Sequence, residues 1–555
     1  MKKPLALMIF TTFCITMSCK DSKQIQENAE QSKIEAETSD FDWNTASIYF
    51  LLTDRFNNGD STNDVNFGRT EKTALLRNFM GGDIKGITEK INAGYFNDLG
   101  VDAIWFTPIF EQIHGYVNEG SGVTYGFHGY WPKDWSAVDP NFGTMDDLKS
   151  LVSAAHNKGI RVVMDVIINH TGPVTDKDSV WPANWVRTSP QCTYQDYETT
   201  VSCTLVRNLP DVLTNSEEEV DLPPQLVEKW KKEGRYDIEV KELDDFFAQT
   251  GYPRYPQYYI MKWLVDLIKD LGIDGFRVDT VKHVEEDVFN ELAELAKDAY
   301  EDWKNRNKNS ALGDEEFFML GEVYNYGISG KQKFNFGDSV VNYFENGFSS
   351  LINFEFVQDC KNNGYEFIFN KYDSLLSSPE MEGVGVYNYI ASHDDGGPFD
   401  PTRSKPFESA NKLLLTPGGA QIYYGDETAR SLVIEGANGD ATLRSFMNWE
   451  DLKNKKTAEV YAHWQKLGRF RQMHPAISRG THSMINKLPY IFSRKLSSDK
   501  VVIALDVQAG KKTIAVGDVF ENGQEITDYY SNKKATVTDG AVTIASDYTT
   551  VLLQL

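Results

Sequence analysis

The sequence predicts an α/β fold: a parallel (β/α)8 barrel of the TIM type, with an inserted loop-rich subdomain after its third strand and a C-terminal β-sandwich. Three patterns lead there. From residue 41 short apolar runs alternate with helical stretches; the interval 171–255 interrupts that rhythm; beyond about residue 477 only short alternating runs remain. Eight buried strands separated by helices favour a closed parallel barrel over an open sheet.

The strands read, in order, SIYFLL (47–52), DAIWF (102–106), RVVMDVII (161–168), DGFRV (274–278), FFMLG (317–321), SLINFEF (350–356), VYNYIAS (386–392) and AQIYYG (420–425). Between them MDDLKSLVSAAHNKG (145–159) and PQYYIMKWLVDLIKDLG (256–272) are helical. The first has an Asp-rich first turn and a C-terminal Gly, as a capped helix should. The interval 171–255, rich in Pro, Thr, Cys and acidic residues, is too long for a βα loop and reads as an inserted domain. It divides the barrel into 41–170 and 256–476. YIFSRKL, KVVIALDV, KKTIAVGDV, AVTIAS and TTVLLQL then make 477–555 an all-β terminal domain. No internal repeat is visible.

Lys2 and Lys3, an apolar stretch from Pro4 to Met17 and the small pair Ser18-Cys19 read as an export signal, too short for a comfortable membrane span. Ser18-Cys19 resembles the end of a bacterial lipobox, so residues 1–19 are expected to be a signal with Cys19 as the lipid acceptor. Thr16 stands where that motif usually carries Leu, and an ordinary cleaved signal is the other reading. Residues 20–40 are polar and acidic, as a disordered tether would be. The protein is therefore expected to be exported, to the outer membrane or periplasm, to meet membrane only through a lipid anchor, and to be a monomer. In an oxidising compartment Cys192 and Cys203 can close a small loop, two free thiols being the alternative; Cys360 reads as a buried core residue. No CxxC pair or Cys/His cluster suggests zinc.

Asp+Glu 81 against Lys+Arg 56 leaves a net charge of −25. Nucleic acid is excluded as a partner, because that binding comes from clustered Lys and Arg. A neutral ligand or a divalent cation suits the balance. The 11 Trp, 27 Tyr and 32 Phe can serve the core, and they also offer flat faces for sugar rings. No P-loop and no GxGxxG after the first strand points to nucleotide chemistry.

Reactive side chains of such a barrel project from the C-terminal ends of its strands. Those ends carry Asp165, Asn169 and His170 (third strand), Arg277 and Asp279 (fourth), Glu322 (fifth), and His393 with Asp394 (seventh). A single strand-end Asp is more often a helix cap than a catalyst. Several carboxylates, an Arg and several His on one rim point to acid/base and nucleophile chemistry.

DVIINH (165–170), GFRVDTVKH (275–283), GEVY (321–324) and SHDD (392–395) resemble the four signature regions of the α-amylase family of glycoside hydrolases, family 13. LPD (209–211), FHGYW (127–131) and IYYGDE (422–427) are similar to further stretches of that family, and the likeness runs over about 41–555 in family order. The resemblance implies Asp279 as nucleophile, Glu322 as general acid/base and Asp394 as transition-state stabiliser. It implies His128, His170 and His393 as donors to sugar hydroxyls, with Tyr130 stacked on the ring and Arg277 aiming the nucleophile. Lys282 and His283 are implied on the leaving-group side of an α-1,4-glucan, which marks α-amylases within the family. Physical chemistry agrees: cleaving an acetal with retention takes one carboxylic acid to protonate the leaving oxygen and one carboxylate to attack.

The resemblance also implies calcium. One site would use Asn169, Asp211 and the backbone carbonyl of His283; oxygen donors from separate segments are what calcium takes. A second, within DRFNNGDSTND (54–64) and GGD (81–83), would use Asn58, Asp60, Asn63, Asp64, the Gly81 carbonyl and Asp83, although an Asx-rich turn explains that composition too. The activity implied is retaining endo-hydrolysis of α-1,4 bonds in starch, glycogen or maltodextrin. The alternatives are a glucanotransferase with the same site and a non-catalytic glucan-binding lipoprotein. The second would be expected to have lost one of the three carboxylates, and all are present.

Overall fold

The computed structural model describes residues 41–555; the expected signal, Cys19 and the expected tether lie outside the described residues. Eight parallel strands close into a barrel: β1 (Ser47–Leu51), β2 (Ala103–Phe106), β3 (Arg161–Val166), β4 (Gly275–Val278), β5 (Phe318–Gly321), β6 (Ser350–Asn353), β7 (Gly385–Asn388) and β8 (Gly419–Tyr423). Each pairs with its neighbours in sequence, and β1 pairs with β8. All eight predicted runs are present. The sixth is shorter than its apolar pattern, because the chain turns after Asn353 and a helix begins at Glu355. Asn353 fixes that turn by donating to Tyr372 and to Asn388 of β7, while accepting from the Ile328 amide.

Register sets what stands side by side inside the barrel. Phe50 is level with Trp105 and stacks on it at 3.7 Å, and Asp165 is level with Arg277. Every residue of β3, β4 and β5 is buried, and their charges are Arg161, which pairs with Glu315 at 2.8 Å, and Asp165 and Arg277, which pair with each other.

The helices follow their end signals. Helix α1 (Met145–His156) opens on a capping box between Thr144 and Asp147. The stretch between β3 and β4 is less loop-like than its composition suggests. It contains a two-residue strand pair (Val186–Arg187 with Asp211–Val212), the disulfide Cys192–Cys203, and two helices, α2 (Pro224–Glu233) and α3 (Tyr236–Thr250). Only Leu226 and Trp230 of α2, and Leu243, Phe246 and Phe247 of α3, are buried. A narrow apolar stripe in a charged sequence hid their period. Helix α4 (Pro256–Leu271) starts on Pro256 and stops at Gly272, whose φ is +77°. A Cβ there would lie 2.2 Å from the Trp303 ring, so position and conformation both call for glycine.

The C-terminal strands are β9 (Thr481–Asn486), β10 (Tyr490–Leu496), β11 (Asp499–Leu505), β12 (Gly510–Ala515), β13 (Glu525–Asp528), β14 (Lys533–Thr536), β15 (Ala541–Ser546) and β16 (Val551–Gln554). They form a six-stranded antiparallel sheet in the order β9-β10-β11-β16-β13-β14 and a β12-β15 pair. Val502, Ile514, Val542 and Leu553 from both sheets share one core. Cys360 is buried and has no disulfide partner among the described residues.

Candidate active site

The C-terminal ends of β3, β4 and β5 converge on one guanidinium. Arg277 Nη1 donates to Asp165 Oδ1 at 2.8 Å and to Asp279 Oδ1 at 2.9 Å, and its Nη2 lies 3.1 Å from Glu322 Oε2. Asp165 is itself held by Trp105 Nε1 at 3.0 Å and Tyr130 Oη at 2.8 Å. Asp279 differs: its Oδ2 is buried and has no hydrogen-bond partner among the described residues. Thr280, next in the chain, adopts φ +49°, and its amide donates to Glu322 Oε2 at 2.9 Å. A β-branched residue in the left-handed region is strained, and here that strain aims a backbone N–H at a carboxyl group.

One cation cannot compensate three buried carboxylates. Burial pushes Asp165 and Asp279 above the ordinary carboxylate range against the pull of Arg277. Burial, with help from Asp279 and Asp394, raises Glu322 to about 7. Asp394 behaves oppositely. Its side chain is 39% exposed; burial acts to raise it, but contact with His393 and the Arg444 guanidinium outweighs that and holds it far below the usual range. The contacts are His393 Nε2 at 2.8 Å from Oδ2 and Arg444 Nη2 on Oδ1.

His128 Nδ1 accepts from the Tyr130 amide at 3.0 Å, which places the proton of the neutral ring on Nε2. Tyr130 stacks on the His393 ring at 5.2 Å, so one of its faces is already covered. Lys282 sits among the rings of Tyr194 (5.7 Å), Tyr324 (5.2 Å) and Phe334 (6.0 Å), and burial lowers its pKa.

His170 and His283 have protein partners for their rings. His170 Nε2 contacts the Tyr130 carbonyl at 3.0 Å, and Nδ1 faces the Asn169 amide at 3.3 Å. The His283 ring is likewise committed, through Nδ1, to the Thr200 carbonyl at 2.9 Å. Arg444, by contrast, escaped the sequence reading. It joins Asp394 to Asp440 at 2.7 Å, and no motif announces an Arg fifty residues from its partner.

The description "Alpha amylase, catalytic domain" matches residues 50–480. The periplasmic α-amylase of Escherichia coli (strain K12) is 34% identical over 85% of this chain and 73% of that protein. The chain belongs to the α-amylase family of glycoside hydrolases. A second family member, the cyclomaltodextrin glucanotransferase of Geobacillus stearothermophilus, is 28% identical over 83% of this chain, which spans 59% of that relative. The α-amylase of Geobacillus thermoleovorans, solved complexed with acarbose, shares the fold at TM-score 0.64 and 22% identity, covering 93% of this chain and 100% of that one.

The family's calcium can be tested against the residues present. Among the described residues no three His, Cys, Asp or Glu side chains gather as a metal site, so a cation would depend on amide and carbonyl oxygens. At Asn169 the hydrogen bonds discriminate. His170 Nε2 donates to a carbonyl, so in the neutral ring Nδ1 accepts and the Asn169 NH2 must face it. The Asn169 oxygen then lies against the His283 carbonyl at 3.0 Å and Asp211 Oδ1 at 3.2 Å. Swapping the amide would relieve those contacts but would need a proton on Nδ1. Three acceptor oxygens from three segments fit a hard cation. The loop at 54–83 is more self-contained. Asp60 pairs with Lys85 at 2.5 Å, Asp83 accepts from the amides of Gly59, Asp60 and Gly86, and Asn58 donates to Asp64 Oδ1. Asn63 Oδ1 is buried there without a partner, and Gly81 packs against Asn58 and Asp64.

Proposed function

We propose that this protein is a retaining α-amylase that hydrolyses internal α-1,4-glucosidic bonds of starch, glycogen or maltodextrin. The observation that carries the reading is the division of labour around Arg277. It holds one oxygen of Asp279 and leaves the other buried and unpartnered, while Glu322 beside it has its pKa raised to about 7.

Asp279 Oδ2 attacks the anomeric carbon, and Glu322 delivers its proton to the departing glycosidic oxygen. Asp279–glycosyl and water then react with Glu322 as base, which restores both groups and the α configuration. Asp394, kept ionised by His393 and Arg444, stabilises the positive charge that develops on the sugar ring. His128 Nε2 and His393 serve the sugar hydroxyls, and Lys282 serves the leaving side. Asp279→Asn and Glu322→Gln are expected to lower kcat on maltoheptaose by at least about 10²–10⁴-fold with unchanged circular dichroism. Near wild-type turnover by either purified variant would refute the roles.

The aromatic surroundings of Lys282 favour a second reading. Tyr194, Tyr324 and Phe334 line the leaving-group side with rings that a sugar acceptor could stack on in place of water. A glucanotransferase would then yield products longer than the maltoheptaose supplied. Calcium is read at Asn169, Asp211 and the His283 carbonyl, where it would tie the barrel to the inserted segment. A second ion is read at Asn58, Asp60, Asn63, Asp64, Gly81 and Asp83. The protein is read as an exported monomer anchored through Cys19; mass spectrometry of the membrane-bound form, finding an unacylated N-terminus, would remove the anchor.

A further inference from the structure

The acceptor oxygens around Asn169 share a carboxylate with a cation that the chain itself supplies. In the two-residue strand pair of the inserted segment Arg187 stands opposite Asp211, so both side chains leave the same face. Arg187 Nε lies 2.7 Å from Asp211 Oδ2, while Asp211 Oδ1 lies 3.2 Å from the Asn169 side chain. One oxygen of Asp211 thus faces the proposed calcium ligands and the other faces a guanidinium.

That ion pair is not a clamp. Arg187 Nε is buried and has no hydrogen-bond partner among the described residues despite the short distance, and Nη2 donates elsewhere, to Asn215 Oδ1 at 3.3 Å. The aligned two-bond fork of a strong Arg–carboxylate pair is missing. Freedom to move is one-sided as well. The Asp211 side chain is 3% exposed, and its strand is tied to the end of β3 where the Val212 amide donates to the Asn169 carbonyl at 2.8 Å; the Arg187 side chain is 17% exposed. The guanidinium can turn towards water, and the carboxylate cannot.

A second carboxylate belongs to the same group of charges. Glu285, two residues after His283, accepts from Thr214 Oγ1 at 2.8 Å through Oε2, and its Oε1 is buried without a hydrogen-bond partner among the described residues. Burial pushes the Asp211 and Glu285 carboxyls up, and the Arg187 charge draws both down. Two carboxylates and one guanidinium leave a single negative charge. Without the guanidinium there would be two, which is what a divalent ion balances, and calcium affinity follows the charge of its ligands.

We propose that Arg187 is an internal counter-ion that competes with calcium for Asp211, lowering the affinity of this site and holding barrel and insertion together when no ion is bound. The inference rests on the calcium reading given under Proposed function and names the residue that tunes it.

The test is calorimetric titration of calcium into the chelator-stripped full chain, read at the binding equivalent that Asn169→Leu abolishes. Arg187→Gln is expected to tighten that equivalent by at least about tenfold, and Arg187→Lys, which keeps the charge, to stay close to wild type. Melting temperatures give a second readout. Arg187→Gln melts below wild type in chelator and gains more from added calcium than wild type does; loss of its fold in chelator, restored by calcium, is the extreme form of the same result. An unchanged or weakened equivalent in Arg187→Gln, or an Arg187→Lys chain that binds calcium as tightly as Arg187→Gln, would overturn the proposal. Failure of the calcium reading would look different and would take the proposal with it: wild type and Arg187→Gln would both lack an equivalent sensitive to Asn169→Leu.

Discussion

Arg277 is the residue on which the site turns. Its two terminal nitrogens reach Asp165, Asp279 and Glu322, and the shortage of positive charge keeps protons in the cluster near neutral pH. A general acid must be protonated to act, so activity is expected to fall as pH rises through about 7, the value to which burial raises Glu322. The same group gives a stability signature. Its folded pKa lies above the ordinary 4.5, so the folded state binds the extra proton between pH 4.5 and 7. This contribution is fully present below that window and is lost as pH rises through it. Glu322→Gln lacks the loss, so its melting temperature relative to wild type is expected to climb from pH 5 to pH 8. A difference independent of pH would contradict a raised Glu322. The types of these residues were legible because they stand at strand ends within motifs. The directions of the His170 and His283 rings were not, since a motif says which residue is present and nothing about which carbonyl lies across from it. Arg444 stayed hidden for the related reason that its contact with Asp394 is non-local.

At the scale of elements, the loop closed by Cys192–Cys203 presents Tyr194 to Lys282, and the His283 ring grips the same loop at Thr200. Tyr194→Ala, which removes a ring proposed to stack on the sugar, is expected to raise KM for maltoheptaose by a few-fold while kcat changes little. A fall in kcat without a change in KM would move Tyr194 out of ligand contact. The barrel strands could be read because burial on both faces makes each a short, mostly apolar run. Helices α2 and α3 could not, because each buries only two or three side chains and the rest of its sequence is charged. The inserted segment is thus where composition misleads most.

For the molecule as a whole, Asn169 after β3, Asp211 in the inserted segment and His283 after β4 bring acceptor oxygens together across the barrel rim. Arg187 pairs with Asp211 there at 2.7 Å, and the Asn169 oxygen faces the His283 carbonyl; a bound calcium, as proposed, would join barrel and insertion through these oxygens. Exhaustive chelation is expected to lower the melting temperature, and added calcium to restore it, as for any ligand bound only by the folded state. Asn169→Leu should abolish most of that response. An unchanged melting temperature after chelation would remove the structural ion. The fold class, the order of the parts and the disulfide were accessible from sequence because each rests on local pattern. The shared use of loops by insertion and catalytic centre was not, because it exists only in three dimensions.

The central claim is a retaining hydrolysis by Asp279 and Glu322. Its most direct test is a proton NMR time course of maltoheptaose cleavage by residues 20–555 in calcium, with Asp279→Asn alongside. The account predicts that shorter maltooligosaccharides appear first in the α configuration and that the variant produces none on the same timescale. First products in the β configuration, or α products formed equally fast by Asp279→Asn, would contradict it.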